Sequence, residues 1–202
     1  MINIQKKKVG FYGGTFDPIH LGHINLALEI LEKHNLDEVW FCPANVSPHR
    51  QRADHTTAEH RLNMVKLAIS DIPQFKLIDI ECKRGGVSYT IDTLKQLIEK
   101  HGKTDQFYLI LGDDSLKGFM QWKDPQAIVD LVPILIGRRS EGSIQWDIFP
   151  PKILQALKDG FTPTRLMAIS GTDLRDRLQK GLYCGHLVPS KVMDYIYQNH
   201  LY

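Results

Sequence analysis

The feature that most restricts what this chain can fold into is a repeated exchange between two hydrophobic periods. Short apolar or β-branched runs, closed by Gly or Pro, alternate with longer stretches whose apolar residues recur every three or four positions. Val9 to Tyr12 reads as a strand ending at Gly13-Gly14, and Ile24 to Leu31 then sets Ile24, Ala27, Leu28 and Leu31 on one helical face. Glu38 to Cys42 is a second strand that stops at Pro43, followed by an exposed loop, residues 43–57, rich in Pro, His, Asn and Arg. Ala58 to Ser70 predicts a helix, Lys76 to Glu81 a strand before the Arg84-Gly85-Gly86 turn, Ser88 to Lys100 a helix, and Phe107 to Leu111 a buried strand closed by Gly112. Short helices are predicted at Ser115 to Trp122 and Pro125 to Val132, and strands at Pro133 to Ile136 and Arg165 to Ile169. Helices over Ser170 to Lys180 and Pro189 to Asn199 finish the chain, and residues 137–151 carry few signals.

Strands that alternate with helices in this way predict an α/β protein with a doubly wound, Rossmann-like parallel sheet, helices on both faces and right-handed crossovers. The 202 residues fit one domain, with residues 170–202 packed on it as a helical segment. With 43% hydrophobic and 24% charged residues the chain can bury a sizeable core. A formal charge of +2 leaves no field that would hold a nucleic acid or a membrane nonspecifically. Cys42, Cys82 and Cys184 form no Cys-x-x-Cys pair, and Lys6 to Lys8 lead straight into a strand rather than an apolar leader, so the expectation is a cytoplasmic protein.

In such sheets ligands bind beyond the carboxyl ends of the strands, so the segments after Tyr12, Cys42, Leu111 and Ile169 are where chemistry is expected. The first is Gly13-Gly14-Thr15-Phe16-Asp17-Pro18-Ile19-His20-Leu21-Gly22-His23. A glycine pair alone is an ordinary turn. Here it precedes His20 and His23, three apart and therefore on one face at a helix N-terminus that already favours anions. The Gly-x-Gly-x-x-Gly dinucleotide fingerprint is absent after this strand and no Walker loop occurs, which makes a nucleoside triphosphate the better ligand.

Ser170-Gly171-Thr172-Asp173-Leu174-Arg175 opens a later helix with two hydroxyls, free amides and a guanidinium, as well as a routine N-cap pattern. Pro48-His49-Arg50 lies in the polar loop as a candidate cationic flap over phosphates. Ser88-Tyr89-Thr90 begins a helix that could receive a carboxylate or phosphate, and Gly112-Asp113-Asp114 sets carboxylates where a ribose or metal could approach. Trp122 is either core or a stacking platform.

Taken in order, Gly13 to His23, Pro48-His49-Arg50, Ser88 to Leu94, and Ile169 to Arg177 running on to Leu187-Val188-Pro189 and Leu201-Tyr202 resemble the bacterial nicotinate-nucleotide adenylyltransferases over essentially the whole chain. The stretch from Leu109 to Trp122 is similar to that family's ribose-contacting and pyridine-stacking segment.

The resemblance implies a nucleotidyltransferase that joins ATP and nicotinate mononucleotide with release of pyrophosphate. It implies that Gly13, Gly14, Thr15, Phe16, His20, His23, Arg50, Gly112, Asp114, Ser170, Thr172 and Arg175 hold ATP. It assigns Gly14, His49, Arg50, Ser88, Tyr89, Thr90 and Trp122 to the mononucleotide, and His20, His23 and Arg175 to the developing charge. With it goes Mg²⁺ held mainly through ATP phosphates, with no metal held by side chains alone; the sequence leaves the oligomeric state open, a homo-oligomer included. Two departures are visible: Gly171 stands where the family usually has Ser or Ala, and Arg50 where many members have lysine. The competing readings are another adenylyltransferase of the superfamily, using nicotinamide mononucleotide or phosphopantetheine, and a catalytically silent nucleotide sensor.

Overall fold

The computed structural model describes residues 6–48, 56–139 and 142–202. Six strands, β1 (Lys7–Gly14), β2 (Glu38–Pro43), β3 (Phe75–Leu77), β4 (Asp105–Gly112), β5 (Ile134–Gly137) and β6 (Phe161–Thr162), form one sheet in the order β3-β2-β1-β4-β5-β6. Every pairing is parallel. The order reverses between β1 and β4, which is the switch point where a doubly wound sheet opens a crevice for ligands.

Helices α1 (Leu21–Lys33), α2 (Ala58–Ala68), α3 (Ile80–Arg84), α4 (Thr90–His101), α5 (Pro125–Leu131), α6 (Pro151–Asp159), α7 (Gly171–Gln179) and α8 (Ser190–Gln198) connect and cover the strands. Because strand side chains alternate between faces, the sheet feeds two cores. Tyr12, Val39, Phe41 and Ile110 join Leu26 and Ile30 of α1, Met64 and Val65 of α2, and Val192 and Ile196 of α8 in one. Val9, Phe11, Leu109 and Leu111 join Leu94 of α4, Ile128 of α5 and Ile153 and Leu157 of α6 in the other. Helices on both faces explain why the central strands carry unbroken apolar runs. Among the described residues no helix is long and apolar enough to cross a membrane.

The structure corrects three of the expected elements. Residues 165–169 are not a strand; the last strand is Phe161–Thr162, fixed by its pairing with Ile136 and Gly137. The strand expected to run to Glu81 ends at Leu77, and Ile80–Arg84 turns into α3. The segment before Trp122 is a 3-10 helix over Asp113–Gln121. In the quiet stretch 137–151 the described part holds only a 3-10 turn, Trp146–Ile148, before α6 begins.

Candidate active site

The carboxyl ends of the strands converge on a cleft of about 710 Å³. Its floor is the loop from β1 to α1, and the geometry there follows from the sequence. Phe16 adopts a positive φ of 51°, a conformation costly for a bulky residue. Packing offsets it: the ring is buried, edge-on to Tyr12 at 5.4 Å and to His23 at 5.1 Å. A Cβ on Gly14 would stand 3.0 Å from that ring, so glycine lets the backbone lie directly over it.

His20 is the N-cap of α1 and His23 its third residue, so the two rings stack with centroids 3.7 Å apart. The backbone N–H of His20 donates to His23 Nδ1 at 3.2 Å, which leaves the proton of a neutral His23 ring on Nε2. His20 is only 1% exposed, and its Nδ1 has no hydrogen-bond partner among the described residues. Burial, and then the charge of Arg139, push its pKa down to about 3. The ring therefore faces the cleft as a neutral hydrogen-bonding group at physiological pH.

This neutrality has a stability consequence. An unfolded histidine gains its proton near pH 6.5, while folded His20 resists until about pH 3, so acid favours the unfolded chain through that window. The stabilisation is fully present above pH 6.5 and drains away as pH falls toward 3, at up to ~1.4 kcal/mol per pH unit. Denaturant midpoints at about pH 7.5 and about pH 5 should fall more steeply for the native protein than for His20→Gln. Parallel falls would contradict this assignment.

The other strand ends bring the remaining groups. Gly112 ends β4 and Asp114 follows it, and Ser170 and Thr172 open α7, where Ser170 accepts from Asp173 N as its cap. Ser88, Tyr89 and Thr90 lead into α4, whose N-cap Tyr89 supplies no side-chain cap. The Ser88 hydroxyl accepts from Asn45 N at 2.9 Å and Ser88 N donates to Val46 O at 2.8 Å, tying the loop after β2 to the start of α4. Trp122 closes this end of the cleft, packed on Phe119.

Of the expected site residues, Gly13, Gly14, Thr15, Phe16, His20, His23, Ser88, Tyr89, Thr90, Gly112, Asp114, Trp122, Ser170 and Thr172 all line the wall of this one cleft. His49 and Arg50 lie outside the described residues. Arg175 is placed differently: its guanidinium stands behind the wall, donating to Asp17 O at 2.7 Å and Thr172 Oγ1 at 3.2 Å. At Gly171 a Cβ would meet only ordinary contacts at 3.4 and 3.5 Å, so packing does not demand the glycine.

Arg139 was missed. It lines the cleft after β5, pairs with Asp114 Oδ2 at 3.3 Å and donates to Ile169 O at 3.2 Å. A Cβ on Gly112 would come within 2.7 Å of Arg139 Cδ, so that glycine makes room for the arginine stem. Arg61 was missed too. Only 3% exposed, it donates to Thr15 O at 2.8 Å, Asn45 O at 2.9 Å and Thr56 O at 3.1 Å, clamping the loops after β1 and β2 together. Neither arginine belongs to a spaced motif; only the adjacent Gly137-Arg138-Arg139, following a strand, offered a signal for the first.

A family model described as cytidylyltransferase-like matches residues 11–177. A probable nicotinate-nucleotide adenylyltransferase of Dictyoglomus turgidum is 39% identical over 201 residues, covering 96% of this chain and 95% of that one. The nicotinate-nucleotide adenylyltransferase of Bacillus subtilis is 35% identical over 196 residues, covering 97% and 98%. Among solved structures, the nicotinic acid mononucleotide adenylyltransferase of Plasmodium falciparum complexed with NaAD superposes with a TM-score of 0.77 over 96% of this chain and 97% of that one. At 23% identity that likeness speaks for the fold.

Proposed function

The chain belongs to the cytidylyltransferase-like family and, within it, to the nicotinate-nucleotide adenylyltransferases, and from that membership we propose that it transfers the adenylyl group of ATP to nicotinate mononucleotide. The products are deamido-NAD and pyrophosphate, a step of NAD biosynthesis. The observation that carries this reading is the single cleft shared by the glycine loop, the stacked His20–His23 pair and the uncapped start of α4. One end offers phosphate-binding amides and imidazoles, the other a helix terminus and an aromatic plane.

In this reading Gly13 to Phe16, His20 and His23 take the triphosphate, with Ser170 and Thr172 beside them. Gly112 and Asp114 take the ribose, and Ser88 to Thr90 with Trp122 frame the pyridine. His49 and Arg50 complete the set on the acceptor phosphate. Arg175 acts from behind, holding Asp17 O and Thr172 in place and adding its charge to the field. Arg139 adds a second fixed cation beside Asp114.

No protein nucleophile is needed. The phosphate of the mononucleotide, with a second pKa of about 6, is largely a dianion at neutral pH and attacks the α-phosphorus directly. The attacking oxygen forms the new P–O bond as the bond to the β-phosphate oxygen breaks, and pyrophosphate leaves in line. The protein's work is to hold the two substrates in that line and to donate hydrogen bonds to the oxygens where charge builds.

Among the described residues no group of three or more His, Cys, Asp or Glu is arranged to hold a metal ion. Mg²⁺ would enter as part of the substrate, carried mainly on ATP phosphates and water, where it would neutralise charge on the departing pyrophosphate. We take residues 1–202 as one catalytic unit working in the cytoplasm, where ATP is plentiful.

The test is product analysis. ATP, Mg²⁺ and nicotinate mononucleotide should give deamido-NAD and pyrophosphate in equal amounts. ATP binding without either product would overturn the reading and favour a silent sensor.

A further inference from the structure

The loop that carries the phosphate-binding backbone is held from the far end of the chain. Asp17, 4% exposed and lining the cleft, receives the Tyr202 hydroxyl on Oδ1 at 2.6 Å, across 185 positions of sequence. Its carbonyl receives Arg175 Nη1 at 2.7 Å, and Leu21 N, just beyond the same loop, donates to Leu187 O at 2.9 Å. The segment making these contacts is itself anchored. In α8 the Tyr195 hydroxyl receives Asn63 Nδ2 at 3.0 Å and lies 2.9 Å from His60 Nδ1, both on α2. The same helix α2 carries Arg61, which grips Thr15 O. Tyr202 is thus the last link of a frame that meets the loop on its carboxylate side while Arg61 meets its carbonyl side.

We propose that Tyr202 is a positioning residue for the adenylyl donor: by fixing the Asp17 carboxylate it holds Thr15 and Phe16 at the register in which their backbone meets the triphosphate. This rests on the reading that the cleft binds ATP, and it touches no reacting atom. A hydrogen bond of this kind to a buried carboxylate is a strong one, so removing the hydroxyl takes away one of the ties that fix the carboxylate beside the loop. The freed loop then has more conformations to lose when ATP binds. The start of α4 is held by the Ser88 ties to Val46 and Asn45, which do not involve Tyr202 and stay in place when its hydroxyl is removed.

The experiment uses Tyr202→Phe, which keeps the ring and its packing, and measures ATP·Mg²⁺ binding without acceptor and nicotinate mononucleotide binding without ATP. The Kd for ATP should rise about tenfold and that for the mononucleotide by less than about twofold. In an Asp17→Asn background the same Tyr202→Phe change should add less than about twofold to the ATP Kd, because the interaction it removes is already altered. An unchanged ATP Kd, an equal rise for both substrates, or an equal effect in both backgrounds would overturn the proposal. Binding is read without turnover, so a native protein that binds ATP and makes no dinucleotide would sink the functional reading and leave this one to be judged by its own numbers.

Discussion

Replacing His23 by Ala should lower kcat by about a thousandfold while the protein stays folded, the size seen when a preorganised donor to a developing oxyanion is removed. The ring is held on three sides: stacked on His20, edge-on to Phe16, and hydrogen-bonded through Nδ1 to the His20 backbone. In the proposed role a ring so constrained would lose little freedom on donating to a phosphate oxygen, and that oxygen would carry more charge in the transition state than in bound ATP. Hence kcat should suffer more than the KM for ATP. The structural cost is small, about 1 kcal/mol for the lost acceptor at the helix start. Steady-state kinetics with a thermal melt checks both halves. A variant within about fivefold of native turnover would remove His23 from the mechanism.

The second large effect is the choice of acceptor. Nicotinate mononucleotide should exceed nicotinamide mononucleotide in kcat/KM by about a hundredfold or more. Tyr89 caps α4 without a side-chain acceptor, and Asp92 N turns back to Tyr89 O, so the amides of Thr90 and Ile91 are the donors this helix start would offer at the end of the cleft proposed for the pyridine. The Ser88 hydroxyl is already engaged by Asn45 N. A carboxylate offers such amides only acceptors and takes up the favourable end of the helix dipole. A carboxamide must turn an NH₂ toward donors or leave them unpaired, and the cost of such mismatches is what produces strong discrimination. Lys123, 4.9 Å above the Tyr89 ring and paired with Asp92, adds little net charge there.

Much of this was legible in the sequence because it is local. The strand-to-helix alternation comes from period-two and period-3.6 patterns that packing reinforces, and the four parallel crossings that link β1 to β5 follow from it. The stacked histidines follow from a three-residue spacing at a helix start, and Ser170 caps α7 as its pattern foretold. What escaped is long-range or decided by neighbours. Phe161–Thr162 is a two-residue edge strand with no pattern of its own, placed only by β5, while residues 165–169 are extended in composition but have no strand to pair with. Arg61, Arg139 and Tyr202 reach carbonyls and carboxylates that lie far away in sequence or on other loops. No spacing rule reports such contacts. Arg175 was found by its motif, but its orientation behind Thr172 is set by the Asp17 carbonyl, which only the folded loop presents.

The central claim is that one end of the cleft takes the ATP triphosphate and the other a pyridine carboxylate. Initial rates of pyrophosphate release, with ATP and Mg²⁺ fixed and nicotinate mononucleotide, nicotinamide mononucleotide and phosphopantetheine offered in parallel, test it most directly. Fast release with the nicotinate compound, a rate about a hundredfold lower with the amide and none with phosphopantetheine is the predicted result. Equal rates with the acid and the amide, or release with phosphopantetheine alone, would contradict it.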